Sequence, residues 1–159
     1  MKKVLNKYRQ VAKYIDREIK IKKGNEWACY VEDKIITIPQ IESEEGNAEF
    51  RKSIEKILPI TLEIDIISDE MWSLLHEVGH IQKGKRYNDN IIRGLANIFS
   101  KLSLNRLANA IYFNLKEEKE ATQWAVNYVN KNVNIVQRFD RELGKTYRNF
   151  FRSMNLELE

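Results

Sequence analysis

Apolar residues return at three- and four-residue steps through the first part of the chain. Val4, Leu5, Tyr8, Val11 and Ile15 carry the pattern, with Lys7, Arg9, Lys13, Asp16 and Arg17 between them. That spacing predicts an amphipathic helix from about Lys3 to Lys20, ending near Gly24-Asn25. The period then shortens. Glu26 to Val31 and Lys34 to Ile38 are rich in β-branched and aromatic residues. They read as two short strands joined at Glu32-Asp33, the second closed by Pro39. Ser43 to Asn47 is polar and reads as a surface loop, opening a helix through Phe50, Ile54 and Ile57 that Pro59 terminates. Thr61 to Ile67 largely alternates apolar and polar residues, so it is a third strand or an extended lead-in.

The rest of the chain is helical in period. Ser68-Asp69-Glu70 supplies a capping hydroxyl followed by two acids in a first turn. The helix it opens is expected to continue through Gln82 and stop at Gly84. A loop through Tyr87 and Asp89 leads to helices from Ile91 to Lys101 and from about Leu104 onward. Leu115 to Asn130 places Ala121, Trp124, Ala125 and Tyr128 on one stripe. A last helix carries Val133, Val136, Phe139, Leu143, Tyr147, Phe150 and Met154, a stripe that reads as core packing. The fold class is therefore α+β: one mostly helical domain over residues 1–159 with a small N-terminal β-sheet.

Composition narrows the class without naming a chemistry. Apolar residues make up 43% of the chain and charged residues 31%, which excludes a disordered or fibrous protein. No run approaches the roughly 20 apolar residues of a membrane span, and charges break up the N-terminal segment where a secretory signal would need an apolar core. Cys29 is the one cysteine and cannot form an internal disulfide, so a reducing, cytoplasmic setting is expected. The net charge of +4 gathers at the N-terminus, where Lys2, Lys3, Lys7, Arg9, Lys13, Arg17, Lys20, Lys22 and Lys23 face only Asp16 and Glu18. No DNA-reading motif accompanies these cations. They read as the solvated side of the first helix, and direct nucleic-acid binding is not expected.

The chemistry lies in Leu74-Leu75-His76-Glu77-Val78-Gly79-His80-Ile81. Residues four apart on a helix stand one turn above each other on the same face. Two imidazoles so placed can reach one tetrahedral Zn²⁺ at about 2.0–2.1 Å each. Glu77, one step round from His76, borders that face as the expected catalytic acid–base group for a zinc-activated water. The chain has 2 histidines, and both fall in this motif. Random placement yields such a pattern about once in a thousand sequences. Leu74, Leu75, Val78 and Ile81 make the remaining faces apolar, so the helix should be buried. Gly79 is costly in a helix interior, and either close approach of another element or simple tolerance explains it.

A catalytic zinc takes a third protein ligand and keeps one position open. With no further histidine, the candidates are carboxylates, and Lys116-Glu117-Glu118-Lys119-Glu120 offers three at the start of a helix. Spacing does not choose among Glu117, Glu118 and Glu120.

The two motifs together resemble the ImmA/IrrE family of zinc metallopeptidases. The H-E-x-x-H helix is followed some 40 residues later by E-x-E-A-x-x-[FW]-A, here Glu118-Lys119-Glu120-Ala121-Thr122-Gln123-Trp124-Ala125, within a resemblance spanning about Trp27 to Tyr128. The resemblance implies a zincin-like fold and makes Glu118 the third metal ligand beside His76 and His80, with Glu120 and Glu117 in reserve. Related zincins often place Asp or Asn just after the alanine to steady a ligand histidine. This chain has Thr122, a weaker partner. No histidine remains as a transition-state stabiliser; Tyr87, Tyr112 and Tyr128 are the tyrosines available, each also readable as packing. Members of the family typically come from bacteria and their mobile elements. The resemblance implies a protein substrate, such as a helix-turn-helix DNA-binding repressor cut at a specific site. The alternative is a catalytically inactive zinc-containing module that grips a protein partner.

Overall fold

The computed structural model describes residues 1–39, 44–84 and 90–156; the side chains of 44–47, 90 and 153–156 lie outside that description. Helix α1 covers Lys2–Ile15 and buries Val4, Tyr8, Val11 and Ala12 on one face. It stops five residues before the expected end at Lys20. Asp16 leaves the helix with φ −146°, and its carboxylate accepts hydrogen bonds from the Glu18 backbone N–H and from Lys34. This local turn competes with further helix.

Beyond the turn lies a strand the apolar spacing did not reveal. β1 (Lys20–Lys23) buries Ile21 between exposed lysines, so the segment expected to finish the helix has a period of two. β2 (Ala28–Tyr30) and β3 (Ile35–Ile38) fall inside the expected strands. β3 is central. It pairs parallel to β1, with Lys20 opposite Ile35, and antiparallel to β2, with Cys29 opposite Ile36.

Helix α2 spans Glu44–Glu55, so the polar segment expected as a loop is already helical from Glu44; Ser43 lies outside the described residues. It ends before Pro59, where Ile57 and Leu58 both donate to the Ile54 carbonyl. Thr61 to Ile67 contains no strand. It holds a short 3₁₀ turn at Ile64–Ile66 and then Ile67 in extended backbone, the lead-in alternative. The buried Trp72 donates its indole N–H to the Ile64 carbonyl at 2.8 Å, fastening this lead-in to the next helix.

That helix, α3 (Asp69–Lys83), begins and ends as the sequence predicts. The Ser68 hydroxyl accepts from the Met71 N–H at 3.3 Å, and Gly84 closes the helix in the left-handed region at φ 60°. Tyr87 and Asp89, expected in the following loop, lie outside the described residues. Helices α4 (Asn90–Lys101) and α5 (Asn105–Tyr112) follow and pack on each other. The two helices expected after Leu115 are one element, α6 (Lys116–Leu156), interrupted at Asn132 by non-helical dihedrals. The Asn132 side chain donates to the Tyr128 carbonyl there, taking up a main-chain acceptor at the break.

The architecture is thus mostly helical with a small three-stranded sheet, the α+β class expected. One hydrophobic cluster joins Tyr8 of α1, Ile36 of β3, Leu75 of α3 and Val129 of α6. At its centre α3 lies along α6. Asp140 of α6 accepts hydrogen bonds from the backbone N–H and hydroxyl of Ser68, so the N-terminus of α3 is tied to α6.

Candidate metal centre

Helix α3 is buried on nearly every side. Leu74, Leu75 and Val78 have no exposure at all, which holds the rotation of the helix and aims its polar positions at α6. The glycine at 79 makes that approach possible. A Cβ built on it would stand 2.5 Å from the Ala121 carbonyl oxygen and 3.0 Å from the Ala121 Cα, both main-chain atoms of α6. Of the two explanations open for Gly79, close approach is the one realised.

Where the helices meet, three ligand atoms converge. His76 Nε2 and Glu118 Oε2 are 2.9 Å apart, His76 Nε2 and His80 Nε2 3.1 Å, and His80 Nε2 and Glu118 Oε2 3.3 Å. Donors on a tetrahedral ion at about 2.0–2.1 Å stand roughly 3.3 Å from one another, so this triangle closes on a metal with very small adjustments. The cluster His76, His80 and Glu118 is a group that can bind a metal ion. His76 and Glu118 are buried and His80 is nearly so.

Of the three acids left open by the sequence, Glu118 is therefore the one beside the histidines. Glu117 turns the other way and pairs with Arg93 of α4. Glu120 is half-buried and does not join the cluster.

The surroundings orient the ligands. Thr122, one turn beyond Glu118, places its hydroxyl 3.1 Å from His76 Nδ1 and donates to the Glu118 carbonyl at 2.8 Å. Its one proton goes to that carbonyl, so it accepts from Nδ1–H, which leaves the Nε2 lone pair facing the triangle. Burial pushes the Glu118 carboxyl up, but hydrogen bonds to His76 and His80 outweigh it and hold the group well below the usual carboxylate range. Burial lowers His80, yet the hydrogen bond and charge of Glu118 raise it above its ordinary value. An entering metal ion displaces protons from such a site.

Glu77 is the outlier. It is buried at 9% exposure and has no hydrogen-bond or ion-pair partner among the described residues. Burial pushes its pKa up, the two histidines pull it down, and Glu118 and Glu26 raise it further, with a net rise. A buried carboxyl without a partner is expensive, by several kcal/mol if charged. No packing role visible in the fold accounts for it.

Two phenylalanines that the sequence did not assign and Tyr112, one of the three tyrosines it offered, complete the walls. Phe50 of α2 meets the His76 ring edge-on at 5.1 Å, and Phe113 stands 6.4 Å from the same ring. Tyr112 keeps 37% of its surface exposed, but its hydroxyl end is desolvated and hydrogen-bonds Glu118; burial and the nearby carboxylates push its pKa well up, so it donates. Tyr128 stacks on Trp124 at 5.1 Å and is a packing residue, and Tyr87 lies outside the described residues. Comparison of the chain with protein-family models, with curated proteins and with solved structures finds no match.

Proposed function

We propose that this chain is a zinc-dependent endopeptidase in which His76, His80 and Glu118 hold the ion and Glu77 handles the proton of the attacking water. The observation that carries the reading is the unpartnered Glu77 carboxyl, buried beside a convergent two-histidine, one-carboxylate cluster. A purely structural zinc site has four protein ligands and no use for such a group. Zinc held there would supply Lewis acidity, lowering the pKa of water towards about 7 and polarising a carbonyl.

The chain's own groups do the rest. Burial raises the Glu77 carboxyl above the ordinary carboxylate value, which makes it the stronger base of the acids around the site. Thr122 fixes the His76 tautomer, and Tyr112 donates to Glu118, so both hold ligands in place. Phe50 and Phe113 keep water from the back of the His76 ring. Glu26, just ahead of β2, is near enough to raise the Glu77 pKa, so the sheet passes beside the site. Among the described residues no strand pairs with the outer edge of β2, an edge of the kind that accepts an extended peptide. The resemblance of the two motifs adds a regulatory protein, such as a helix-turn-helix repressor, as the substrate class.

The test is zinc-loaded wild type beside Glu77→Gln, scored for zinc by elemental mass spectrometry and for cleavage of a repressor panel and an unfolded protein. The expected result is undiminished zinc with cleavage reduced on the order of 100-fold or more. Cleavage at the wild-type rate by Glu77→Gln contradicts the mechanism. Zinc in both with cleavage in neither favours the gripping module.

A further inference from the structure

The far half of α6, past the break at Asn132, carries a second concentration of positive charge. Arg138, Arg141, Lys145, Arg148 and Arg152 recur at steps of three and four residues, and all are exposed. The spacing sets them in one row along about 21 Å of helix. The row faces away from Val136 and Leu143, which are buried in the core. From Asn132 to Leu156 the acids are Asp140 and Glu142, and each has a tie elsewhere. Asp140 accepts from Ser68, and Glu142 pairs with Lys7 of α1 at 2.9 Å, with Arg138 and Lys145 as weaker neighbours. None of the five cations forms an ion pair among the described residues; Arg138 lies over the Phe139 ring. On one flank a recess of about 460 Å³ is lined by Arg141, Lys145 and Arg148 with Glu70 and Asp140, so cations outnumber acids there too. Helix α1 runs beside the row: Tyr8 and Tyr147 join hydroxyls at 2.8 Å, and the Tyr14 and Phe139 rings meet at 5.3 Å. It carries exposed Lys2, Lys3 and Lys13 and no acid. Like charges at this spacing repel within a helix, and an ordinary solvated face intersperses both signs. The N-terminal cations alone fit a solvated helix side; a second row set against them by the fold does not.

We propose that this face of α6, with α1 beside it, docks on the phosphate backbone of duplex DNA without reading its sequence. A duplex presents one negative charge per about 1.7 Å of axis, so a row of that length passes roughly 12 phosphates. Four of the five cations are arginines, whose planar fork grips phosphate oxygens two at a time. Other polyanions fit less well. A protein partner wants an apolar, charge-poor centre to its interface, and here the centre is the charge. A bilayer takes up the apolar side of a surface helix, and that side of α6 is in the core. A single strand stacks its bases on several aromatics, whereas Phe151, itself stacked on Tyr147, is the exposed aromatic among the described residues of this half. With no motif that reads base edges, contact stays with the backbone. Glu118 lies before the break in α6 and the row after it, so the docking face is separate from the metal centre.

Fluorescence anisotropy of the full chain on a labelled duplex of about 20 base pairs tests the docking, with a readout independent of any proteolysis. The expected Kd is micromolar at about 50 mM salt. Affinity should fall roughly 100- to 500-fold by about 200 mM, as four or five phosphate contacts release their counterions. Arg141→Gln with Arg148→Gln should weaken binding at least about tenfold and lower the log–log salt slope by about 2, with circular dichroism unchanged. Lys56→Gln with Lys101→Gln removes the same charge from exposed sites off this face and should change affinity less than about twofold. No binding at about 50 mM salt, or equal losses in the two double variants, overturns the proposal. So does tighter binding of the single strand or of polyglutamate. Capture by phosphatidylglycerol vesicles in place of the duplex overturns it as well and assigns the face to a bilayer.

Discussion

Gly79→Ala sets two effects of opposite sign against each other. In an unobstructed helix interior alanine is better than glycine by about 1 kcal/mol. At position 79 the added methyl falls 2.5 Å from the Ala121 carbonyl oxygen, a main-chain atom with no rotamer to escape into. Restoring ordinary contact needs α6 to retreat by about 1 Å there. Overpacking of that kind costs up to about 3 kcal/mol, leaving a net loss of about 2 kcal/mol. For a chain of this length that is a fall in Tm of about 4–8 °C. Glu118 and Thr122 ride on the same turn of α6, and metal sites tolerate only about 0.2 Å of ligand error, so zinc affinity should fall at least about tenfold. Thermal unfolding by circular dichroism and competition for zinc against a chelator measure both quantities. Gly144→Ala, where the methyl comes no nearer than 3.7 Å to the flexible Arg148 guanidinium, is the control and should raise Tm slightly. If Gly79→Ala behaves like that control and binds zinc normally, the close packing of α3 on α6 does not set the site.

Further substitutions probe the supports one at a time. Thr122→Val keeps the shape but leaves His76 Nδ1–H without its acceptor, so zinc affinity should drop about 10- to 100-fold by chelator competition. Trp72→Phe removes the indole N–H from the part-buried Ile64 carbonyl and should cost about 1 kcal/mol in urea unfolding at near-unchanged zinc content. Asp140→Ala releases the Ser68 backbone and hydroxyl at the head of α3, with an expected loss of about 1–3 kcal/mol by the same measurement.

The sequence and the structure part company for definite physical reasons. The α3 segment was legible from Ser68 to Gly84 because capping, hydrophobic burial and the four-residue histidine spacing all act within one helix. β1 was not, since Ile19 and Ile21 are too few to outweigh a helical pattern running into them; only the Asp16 turn ends α1. The three acids from Glu117 to Glu120 share little more than one helical turn, so local spacing could not separate them. Their distinction is tertiary: Gly79 admits Ala121, which turns Glu118 towards the histidines and Glu117 towards Arg93. Phe50 of α2 and Phe113 at the end of α5 look like ordinary core residues, and nothing local marks them as neighbours of a site; Tyr112 was one of three tyrosines on offer, and only the tertiary fold selects it.

The most direct measurement is metal content by elemental mass spectrometry on wild type, His80→Ala, Glu118→Ala and Glu120→Ala, each purified with zinc supplied and excess removed. The expected result is one zinc per chain in wild type and in Glu120→Ala, and little or none in His80→Ala and Glu118→Ala. Wild type without zinc, or Glu118→Ala that retains it while Glu120→Ala loses it, contradicts the assignment of His76, His80 and Glu118 as the metal centre.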